Sequence, residues 1–257
     1  VMVHDVAWRE APDTFPARGR RWHERALRRC IEHAALVITP SERTASLVRD
    51  AGMPVGRIAV IAEGCDHLPP ADAVAAAAVL ARIGVRGPYL LTVSTLEPRK
   101  NLQRLMAAYE RVRPLLPEPW PLVVVGPQGW GESLTPPGGV KLAGPVSDAA
   151  LAGLYTGARC VAYVPLVEGW GLPPVEAMAA CTPVVASPMP STGGAALEVD
   201  PVDLDAIGAG LLAASGDEAR RSALVTAGLL RARELTWERA ARDHTRTWEG
   251  LCSGGPP

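Results

Sequence analysis

The chain has 257 residues, 48% of them hydrophobic and 21% charged, which is enough apolar material to bury a sizeable core. Its formal net charge of -1 gives no support for nucleic-acid binding, and no apolar run approaches the roughly 18 residues of a membrane span. Five scattered cysteines without a CxxC pair favour reduced thiols, as in a cytoplasmic protein.

The first part of the chain alternates apolar runs typical of strands with segments of helical periodicity. Residues 1–5 are predicted to form a short strand that ends at His4 and Asp5, where α/β sheets place functional side chains. A turn capped by Asp5 explains the same two residues equally well. The other elements predicted here are a helix over residues 17–34, a strand over 35–39, a helix over 41–52 and a strand over 57–61.

The helix over residues 17–34 carries a run of arginines from Arg18 to Arg29. Such a run is able to attract an anionic membrane surface. A solvated helix face accounts for the same charges. The sequence leaves both interpretations open.

A break in composition at Pro69 and Pro70 is the predicted domain boundary. It is followed by an alanine-rich linker helix over residues 71–83. The chain is thereby divided into a first unit (residues 1–70), a second unit (71–235) and a final segment (236–257). The end of that segment, residues 253–257, is expected to be disordered.

The second unit alternates regularly between strands and helices, which predicts an α/β fold with a parallel sheet covered on both faces. In such sheets ligands bind at the carboxyl ends of the strands. The predicted strands are residues 89–94, 122–125, 140–143, 160–164 and 183–186. One predicted helix ends at residue 116. The others cover residues 148–157, 203–214 and 218–235 and, in the final segment, 236–251.

The stretch EGWGLPPVE places a carboxylate on each side of a glycine and proline segment that opens a helix. Glu168 is predicted to lie in the loop and Glu176 in the helix, since Pro173 and Pro174 suit a first helical turn. The backbone amides from Gly169 through Trp170 and Gly171 to Leu172 then form a phosphate site at a positive helix end. Carboxylates repel phosphate, so the two glutamates are better placed to accept hydrogen bonds from sugar and ribose hydroxyls. A glycosidase-like acid and nucleophile pair is the competing use.

Arg99 and Lys100 are adjacent on a predicted loop between a strand and a helix, where an anion would lie. Lys100 is one of only two lysines in the chain, so composition does not explain it. A guanidinium beside an ammonium suits a diphosphate, although solvated charges on a turn are the alternative. Gly126, which ends the strand over residues 122–125, is the other candidate for contact with the nucleotide.

Asp203 and Asp205 form a DxD pattern like the metal-binding motif of some sugar transferases. They also precede a predicted helix, where Asp is a common N-cap, and capping is the preferred interpretation. No metal is therefore expected. Four other histidines lack ligand-like spacing and are interpreted as structural or surface residues: His23, His33, His67 and His244.

Seven stretches distributed over residues 1–187 resemble the family 4 retaining glycosyltransferases, which have the GT-B fold of two facing Rossmann-like domains with parallel sheets. The TLEPRKN form resembles the branch that contains bacterial mannosyltransferases of polysaccharide assembly. The matching stretches are VMVHD, VITPSERTASLV, RIAVIAEGCD, LLTVSTLEPRKNL, LVVVGPQGWG, VKLAGPVSDAALAGLYTGA and EGWGLPPVEAMAACTPVVAS.

The resemblance implies a retaining transfer of a hexose, with mannose as the best guess, from an NDP-sugar bound between the domains. The acceptor would be a glycan, a lipid-linked glycan or a natural product, without a metal or other cofactor. Glu168 would contact the donor sugar, Glu176 the ribose and Lys100 the diphosphate. His4 matches a histidine near the reacting centre, and Arg99 would replace an upstream arginine of the family. A lipid-linked acceptor would bring this cytoplasmic protein to the inner face of the membrane.

The sequence departs from the family pattern in two places. The family's N-terminal domain begins well before VMVHD, so residues 1–70 are expected to be only the end of that domain. Relative to the family pattern, about four residues are missing between Thr192 and Gly193. The final helix would cross back onto the N-terminal domain. An epimerase or phosphorylase on the same fold, and a non-catalytic nucleotide-sugar-binding subunit, remain as alternatives.

Overall fold

A computed structural model describes residues 1–116, 118, 120–131 and 135–253. The strands are β1 (Val37–Thr39), β2 (Ile58–Val60), β3 (Leu90–Val93), β4 (Leu122–Val125), β5 (Val140–Gly144), β6 (Cys160–Tyr163), β7 (Val184–Ala186) and β8 (Leu197–Glu198). The α-helices are α1 (Ala7–Glu10), α2 (Ala17–His33), α3 (Glu42–Asp50), α4 (Ala73–Arg82), α5 (Leu102–Val112), α6 (Asp148–Gly157), α7 (Leu172–Ala179), α8 (Leu204–Gly216), α9 (Glu218–Glu234) and α10 (Trp237–Cys252). Residues 254–257, where a disordered tail was expected, lie outside the described residues.

The first unit is built on β1 and β2, which pair in parallel. The expected strand over residues 1–5 is wrong, because only Met2 forms a bridge, to Ile38 of β1. After Met2 the chain turns into α1. Asp5 Oδ1 stabilises this turn by accepting a hydrogen bond from the N–H of Ala7 at 3.0 Å. This short helix was not predicted from the sequence. Asp5 thus stabilises a turn, as the alternative interpretation predicted, and His4 and Asp5 also line the cavity described below.

The second unit contains a six-stranded parallel sheet in the order β5-β4-β3-β6-β7-β8. Strand order reverses between β3 and β6, because β4 and β5 extend the sheet on one side of β3 while β6, β7 and β8 extend it on the other. In open parallel sheets the crevice at such a switch point is where ligands bind. The sequence missed β8, which has only two residues at the sheet edge.

Helices cover both faces of this sheet, and successive strand residues alternate between two buried clusters. Leu91 and Val123 pack with α4, α6, α7 and α9 on one face. Leu90 and Val124 pack with α5 and α8 on the other. A strand buried on both sides explains the continuous apolar runs in the sequence. The predicted α/β class with parallel sheets is confirmed.

The final helix, α10, packs on the first unit through Ala240, which lies in a cluster with Leu36, Ile38 and Ile61 of that unit. Its first N–H, that of Trp237, donates to Asp66 at 2.8 Å. The boundaries proposed for the three segments stay predictions.

The junction at Thr192 is a closed turn, in which Ala195 donates its N–H to the Thr192 carbonyl at 2.9 Å.

Candidate active site

A cavity of about 410 Å³ opens at the carboxyl ends of β3 and β6, where the first unit faces the second. It therefore lies at the switch point of the sheet. Its polar and backbone lining comes from five segments of the chain, two of them in the first unit. They are His4, Asp5 and Glu63 of the first unit, Ser94, Thr95 and Lys100 after β3, Gly126 and Pro127 after β4, and Tyr163, Glu168, Trp170, Gly171, Leu172 and Glu176 from β6 to α7.

Glu168 is the most heavily bonded side chain of the cavity. Its Oε2 accepts hydrogen bonds from Lys100 Nζ and from the Tyr163 hydroxyl, both at 2.7 Å, and its Oε1 accepts one from Arg99 at 3.2 Å. Burial by itself would raise the pKa of this carboxyl, but the charges of Lys100 and Arg99 outweigh burial and lower it. Glu168 is thus an ionised acceptor held in one orientation.

Lys100 reaches the cavity because the loop before α5 is fixed to β6. Residues Pro98–Lys100 form a 3-10 turn that ends at Asn101, whose φ of 61° is left-handed. The Asn101 amide donates to the carbonyls of Val164 at 3.0 Å and Pro201 at 2.7 Å. Lys100 Nζ then contacts the Tyr163 hydroxyl at 2.7 Å as well as Glu168. This geometry leaves an ammonium at the cavity wall, where an anion would be attracted.

Arg99 takes a different position from the one expected for a diphosphate ligand. It is not among the residues that line the cavity and is only 9% exposed. Its guanidinium bonds Glu97 at 3.0 Å and Glu168 at 3.2 Å, lies 3.9 Å from Asp5, and donates to the Val167 carbonyl. The geometry argues for a positioning residue that neutralises the protein's own carboxylates, because little of the fork is left for a ligand.

Glu176 lies in the first turns of α7 and is also buried. Its Oε2 accepts from the Tyr155 hydroxyl at 2.7 Å, and its Oε1 lies 3.2 Å from His67 Nε2. Burial raises the pKa of Glu176, and the hydrogen bond from Tyr155 and the His67 contact only partly offset it. His67, which was interpreted as a structural or surface residue, contacts this carboxylate but is not itself among the residues that line the cavity.

Two glycines hold the loop before α7 close to the first unit. A Cβ on Gly169 would lie 2.0 Å from the His4 carbonyl oxygen, so only glycine permits this approach. The Gly169 carbonyl accepts from Ser41 Oγ at 2.8 Å, and Ser41 in turn caps α3. Gly171 has a φ of 98°, which turns the chain into α7. Gly169 thus serves mainly as a joint between the two units.

The amino end of α7 offers few amide donors. Pro173 and Pro174 lie in its first turn as predicted, and neither has an N–H. Within the described part of the chain, the N–H groups of Trp170 and Gly171 have no assigned acceptor. These amides, with that of Leu172, are the ones able to meet an anionic group in the cavity.

His4 extends into the cavity from the first unit, and its side chain is 69% exposed. Its Nδ1 lies 2.8 Å from Glu63 Oε1. The hydrogen bond with Glu63 raises the pKa of His4, although burial opposes it. His4 is thereby biased toward the charged imidazolium, and Glu63 is a partner that the sequence did not indicate.

The DxD pattern is a helix cap. Asp203 Oδ1 accepts the N–H groups of Asp205 at 2.8 Å and Ala206 at 3.1 Å at the start of α8. Among the described residues no cluster of three or more His, Cys, Asp or Glu is arranged to hold a metal ion. Nor does any helix in that part of the chain combine the length and apolarity needed to cross a membrane.

The sequence missed Tyr163, Tyr155 and Glu63. Tyr163 bonds Lys100 and Glu168, Tyr155 bonds Glu176, and Glu63 bonds His4. One signal was available for Tyr163, because it lies one residue before the end of the strand predicted over residues 160–164, at the edge where sites form. Tyr155 lies within α6 and Glu63 in a loop, so neither had a local signal.

Comparison with known proteins decides the family. The model of the family described as glycosyl transferases group 1 matches residues 82–218, more than half of the chain. This chain is a group 1 glycosyltransferase family member. The matched segment carries Lys100, Tyr163, Glu168 and Glu176, and thus most of the cavity.

Two curated relatives agree with this group 1 membership. The O-antigen chain mannosyltransferase B of Escherichia coli is 32% identical over 253 residues, covering 91% of this chain and 66% of the relative. The D-inositol 3-phosphate glycosyltransferase of Xylanimonas cellulosilytica is 32% identical over 235 residues, covering 80% and 54%. The chain thus spans about half to two thirds of the curated relatives it matches.

Solved structures give the fold of this group 1 chain. HepE of Anabaena, in complex with UDP and glucose, matches 98% of this chain and 71% of its own, with a TM-score of 0.77 and 20% identity. Sucrose-phosphate synthase of Thermosynechococcus elongatus matches 99% and 68%, with a TM-score of 0.76 and 22% identity. The fold is accordingly of the GT-B type.

Proposed function

We propose that the protein transfers a hexose, best assigned as mannose, from an NDP-sugar to a glycan acceptor with retention of anomeric configuration. The observation that carries the proposal is the joining of Lys100, Tyr163 and Glu168 at the switch point of a group 1 glycosyltransferase sheet. The mannose assignment is supported by the O-antigen mannosyltransferase relative. GDP-mannose is the corresponding donor, and no metal takes part.

Each cavity residue has a role that follows from its charge. Lys100 neutralises the diphosphate of the NDP-sugar. The backbone N–H groups of Trp170 and Gly171 donate further hydrogen bonds to this diphosphate. Glu168 and Glu176 accept hydroxyls at opposite ends of the donor, from the hexose and the ribose respectively. Leu172 and Gly126 complete the wall beside the nucleotide. Arg99 contributes indirectly, because it orients the carboxylate of Glu168.

The arrangement suits front-face attack, in which the departing diphosphate helps to remove the proton of the acceptor hydroxyl. Such a reaction depends on stabilising negative charge that develops on the leaving oxygen. Lys100 provides positive charge at the cavity wall for that purpose, and His4, whose pKa is raised by Glu63, adds to it in its protonated form. An enzymatic base is not required by this scheme.

A glycosidase is the main competing enzyme class. The opposite directions of the two carboxyl pKa values, lowered at Glu168 and raised at Glu176, also suit an acid and nucleophile pair. Family membership favours the transferase. A phosphorylase that uses pyridoxal phosphate needs a lysine at its site, and Lys141 lies on the edge strand β5 outside the cavity lining.

Membrane association belongs to the proposal because of the exposed side of α2. Trp22 is 64% exposed there. Within the described residues no acidic group lies within ion-pair distance of its arginine neighbours on this helix, Arg18, Arg21, Arg25, Arg28 and Arg29. A tryptophan among unpaired arginines suits an anionic lipid surface, as on the inner face of a bacterial membrane. Lipid-linked acceptors would be met there.

The decisive experiment is to incubate the full-length protein separately with GDP-mannose, UDP-glucose and dTDP-rhamnose, with a lipid-linked glycan acceptor, and to measure the released nucleoside diphosphate. We expect release and sugar transfer with one donor. Glu168→Ala should lower it about 100-fold, whereas Glu238→Ala is the matched control, because Glu238 is an exposed carboxylate on α10. Nucleotide binding without turnover of any donor would instead identify a non-catalytic binding subunit. Conversion of the donor to another sugar nucleotide would identify an epimerase.

A further inference from the structure

A second and larger cavity, of about 550 Å³, lies on the other side of the loop that carries Glu97 and Lys100. We call it the outer cavity. Its lining includes Glu97, Gln103, Arg104, Trp130, Leu166 and Leu204. The cavity of about 410 Å³ that carries Lys100 and Glu168, called the donor cavity below, is lined by a different set of residues. The outer cavity is therefore not an extension of the nucleotide site.

Glu97 is the unusual member of this lining, because its side chain is only 4% exposed. Its Oε1 accepts from Arg99 at 3.0 Å, and the hydrogen bonds of the described residues leave its Oε2 without a partner. Burial raises the pKa of this carboxyl, which the charges of Arg99 and Lys100 only partly offset. Glu97 lines the outer cavity, so this second carboxylate oxygen is available to accept a hydroxyl group of a ligand there.

Trp130 supplies an aromatic face at the same cavity. It is 37% exposed, and its position is fixed by a hydrogen bond from its Nε1 to the Thr14 carbonyl at 2.9 Å. The Phe15 ring packs against it with centroids 5.7 Å apart. An exposed indole that is held from behind is a preformed surface for an apolar ring face.

The combination of an aromatic plate, a carboxylate and polar side chains at the rim matches a sugar ring, which has one apolar C–H face and several hydroxyls. A phosphate-bearing ligand is disfavoured by Glu97, and a purely apolar ligand by Arg104 and Gln103. The volume is in the usual range for a small-molecule site.

We propose that the outer cavity binds a sugar unit of the acceptor glycan, with Trp130 as the stacking surface and Glu97 as the acceptor of sugar hydroxyls. The assignment of this sugar to the acceptor rests on the proposed transferase function. The Arg99 guanidinium separates the two cavities and contacts Glu97 on one side and Glu168 on the other. A glycan held in the outer cavity is thereby anchored one side chain away from the donor-sugar contact.

The test is a titration of the nucleotide-free protein with two probes, α-mannobiose and maltose, followed by calorimetry. Trp130→Ala should weaken binding of the preferred disaccharide on the order of tenfold. Trp130→Phe keeps a ring and loses only the bond to Thr14, so it should retain most of the affinity. The matched control is Trp248→Ala, which removes a 56% exposed tryptophan on α10, outside the cavity, and should change nothing.

A second readout is steady-state transfer to a long glycan acceptor. Trp130→Ala should raise the acceptor KM by the same factor, while kcat and the donor KM stay within about twofold. The proposal is overturned if neither disaccharide binds in the tens of millimolar, or if Trp130→Ala and Trp248→Ala behave alike. Because the titration uses no nucleotide, transfer without Trp130-dependent sugar binding refutes only this inference. Sugar binding without any transfer keeps the sugar site but refutes the proposed function, and with it the assignment of the sugar to an acceptor.

Discussion

Replacing Arg99 by methionine tests whether this guanidinium serves the protein's own carboxylates. The substitution keeps a long side chain and removes the positive charge. Glu97 and Glu168, whose side chains are 4% and 12% exposed, then lose their contact with the guanidinium. Breaking a buried ion pair costs about 3–5 kcal/mol, because the remaining charge is left without compensation. Lys100 stays 2.7 Å from Glu168, so the expected loss lies near the lower end, about 3 kcal/mol.

Urea unfolding at two pH values measures this loss. In the variant the pKa values of Glu97 and Glu168 rise in the folded protein above those in the unfolded chain. A carboxyl whose folded pKa is raised destabilises the protein as pH increases through the interval between its unfolded and folded values. The penalty of Arg99→Met should consequently be large at pH 7 and smaller near pH 5.

The matched control is Arg111→Met. Arg111 pairs with Asp205 at 3.0 Å, but the two side chains are 57% and 88% exposed, so its loss should stay within about 1 kcal/mol. Adding Glu97→Gln to Arg99→Met should restore part of the stability, as expected for residues in contact. The reasoning is refuted if both arginine variants lose equal stability, or if the Arg99 penalty is independent of pH. A tenfold loss of nucleoside diphosphate affinity with little loss of stability would instead show that Arg99 binds the diphosphate.

Three further predictions concern the donor cavity. Glu168→Ala should lower transfer about 100-fold with little change in the Kd for nucleoside diphosphate. Glu176→Ala should weaken both transfer and nucleotide binding. Equal losses of nucleotide affinity in the two variants, with turnover retained, would contradict these roles. Because its carboxylate partner raises the pKa of His4 above 6.5, transfer should decline as pH rises through that pKa, and a pH profile of His4→Gln should lack the decline. Gly171→Ala forces a Cβ to within 2.5 Å of Met189 Sδ at a φ of 98°, so it should destabilise the protein by about 1–3 kcal/mol in urea unfolding, and an unchanged midpoint would show that the turn adapts.

The order of strands and helices in the second unit was predictable because apolar periodicity is a local property of the chain. The prediction was least successful for the shortest pieces. Residues 1–5, α1 and β8 are each too short to show a period, and their form depends on partners elsewhere, such as Ile38 for Met2.

The position of the site was also predictable. Polar residues at the ends of β3 and β6, together with proline and glycine before α7, indicated where a ligand would lie. The partners of those residues were not, because each is remote in the chain: Tyr155 lies 21 residues from Glu176, and Glu63 lies 59 residues from His4.

By itself the sequence determined the fold class, and it predicted Lys100, Glu168 and Glu176 as charged groups at one edge of the sheet, where the structure brings them to a single cavity. Only the tertiary structure decided where Arg99 points. Its neighbour Lys100 faces the cavity, while Arg99 enters the interior to meet a carboxylate 69 residues away. The physical reason is that a buried charge takes the direction in which an opposite charge compensates its desolvation, and that partner is brought near by folding rather than by sequence.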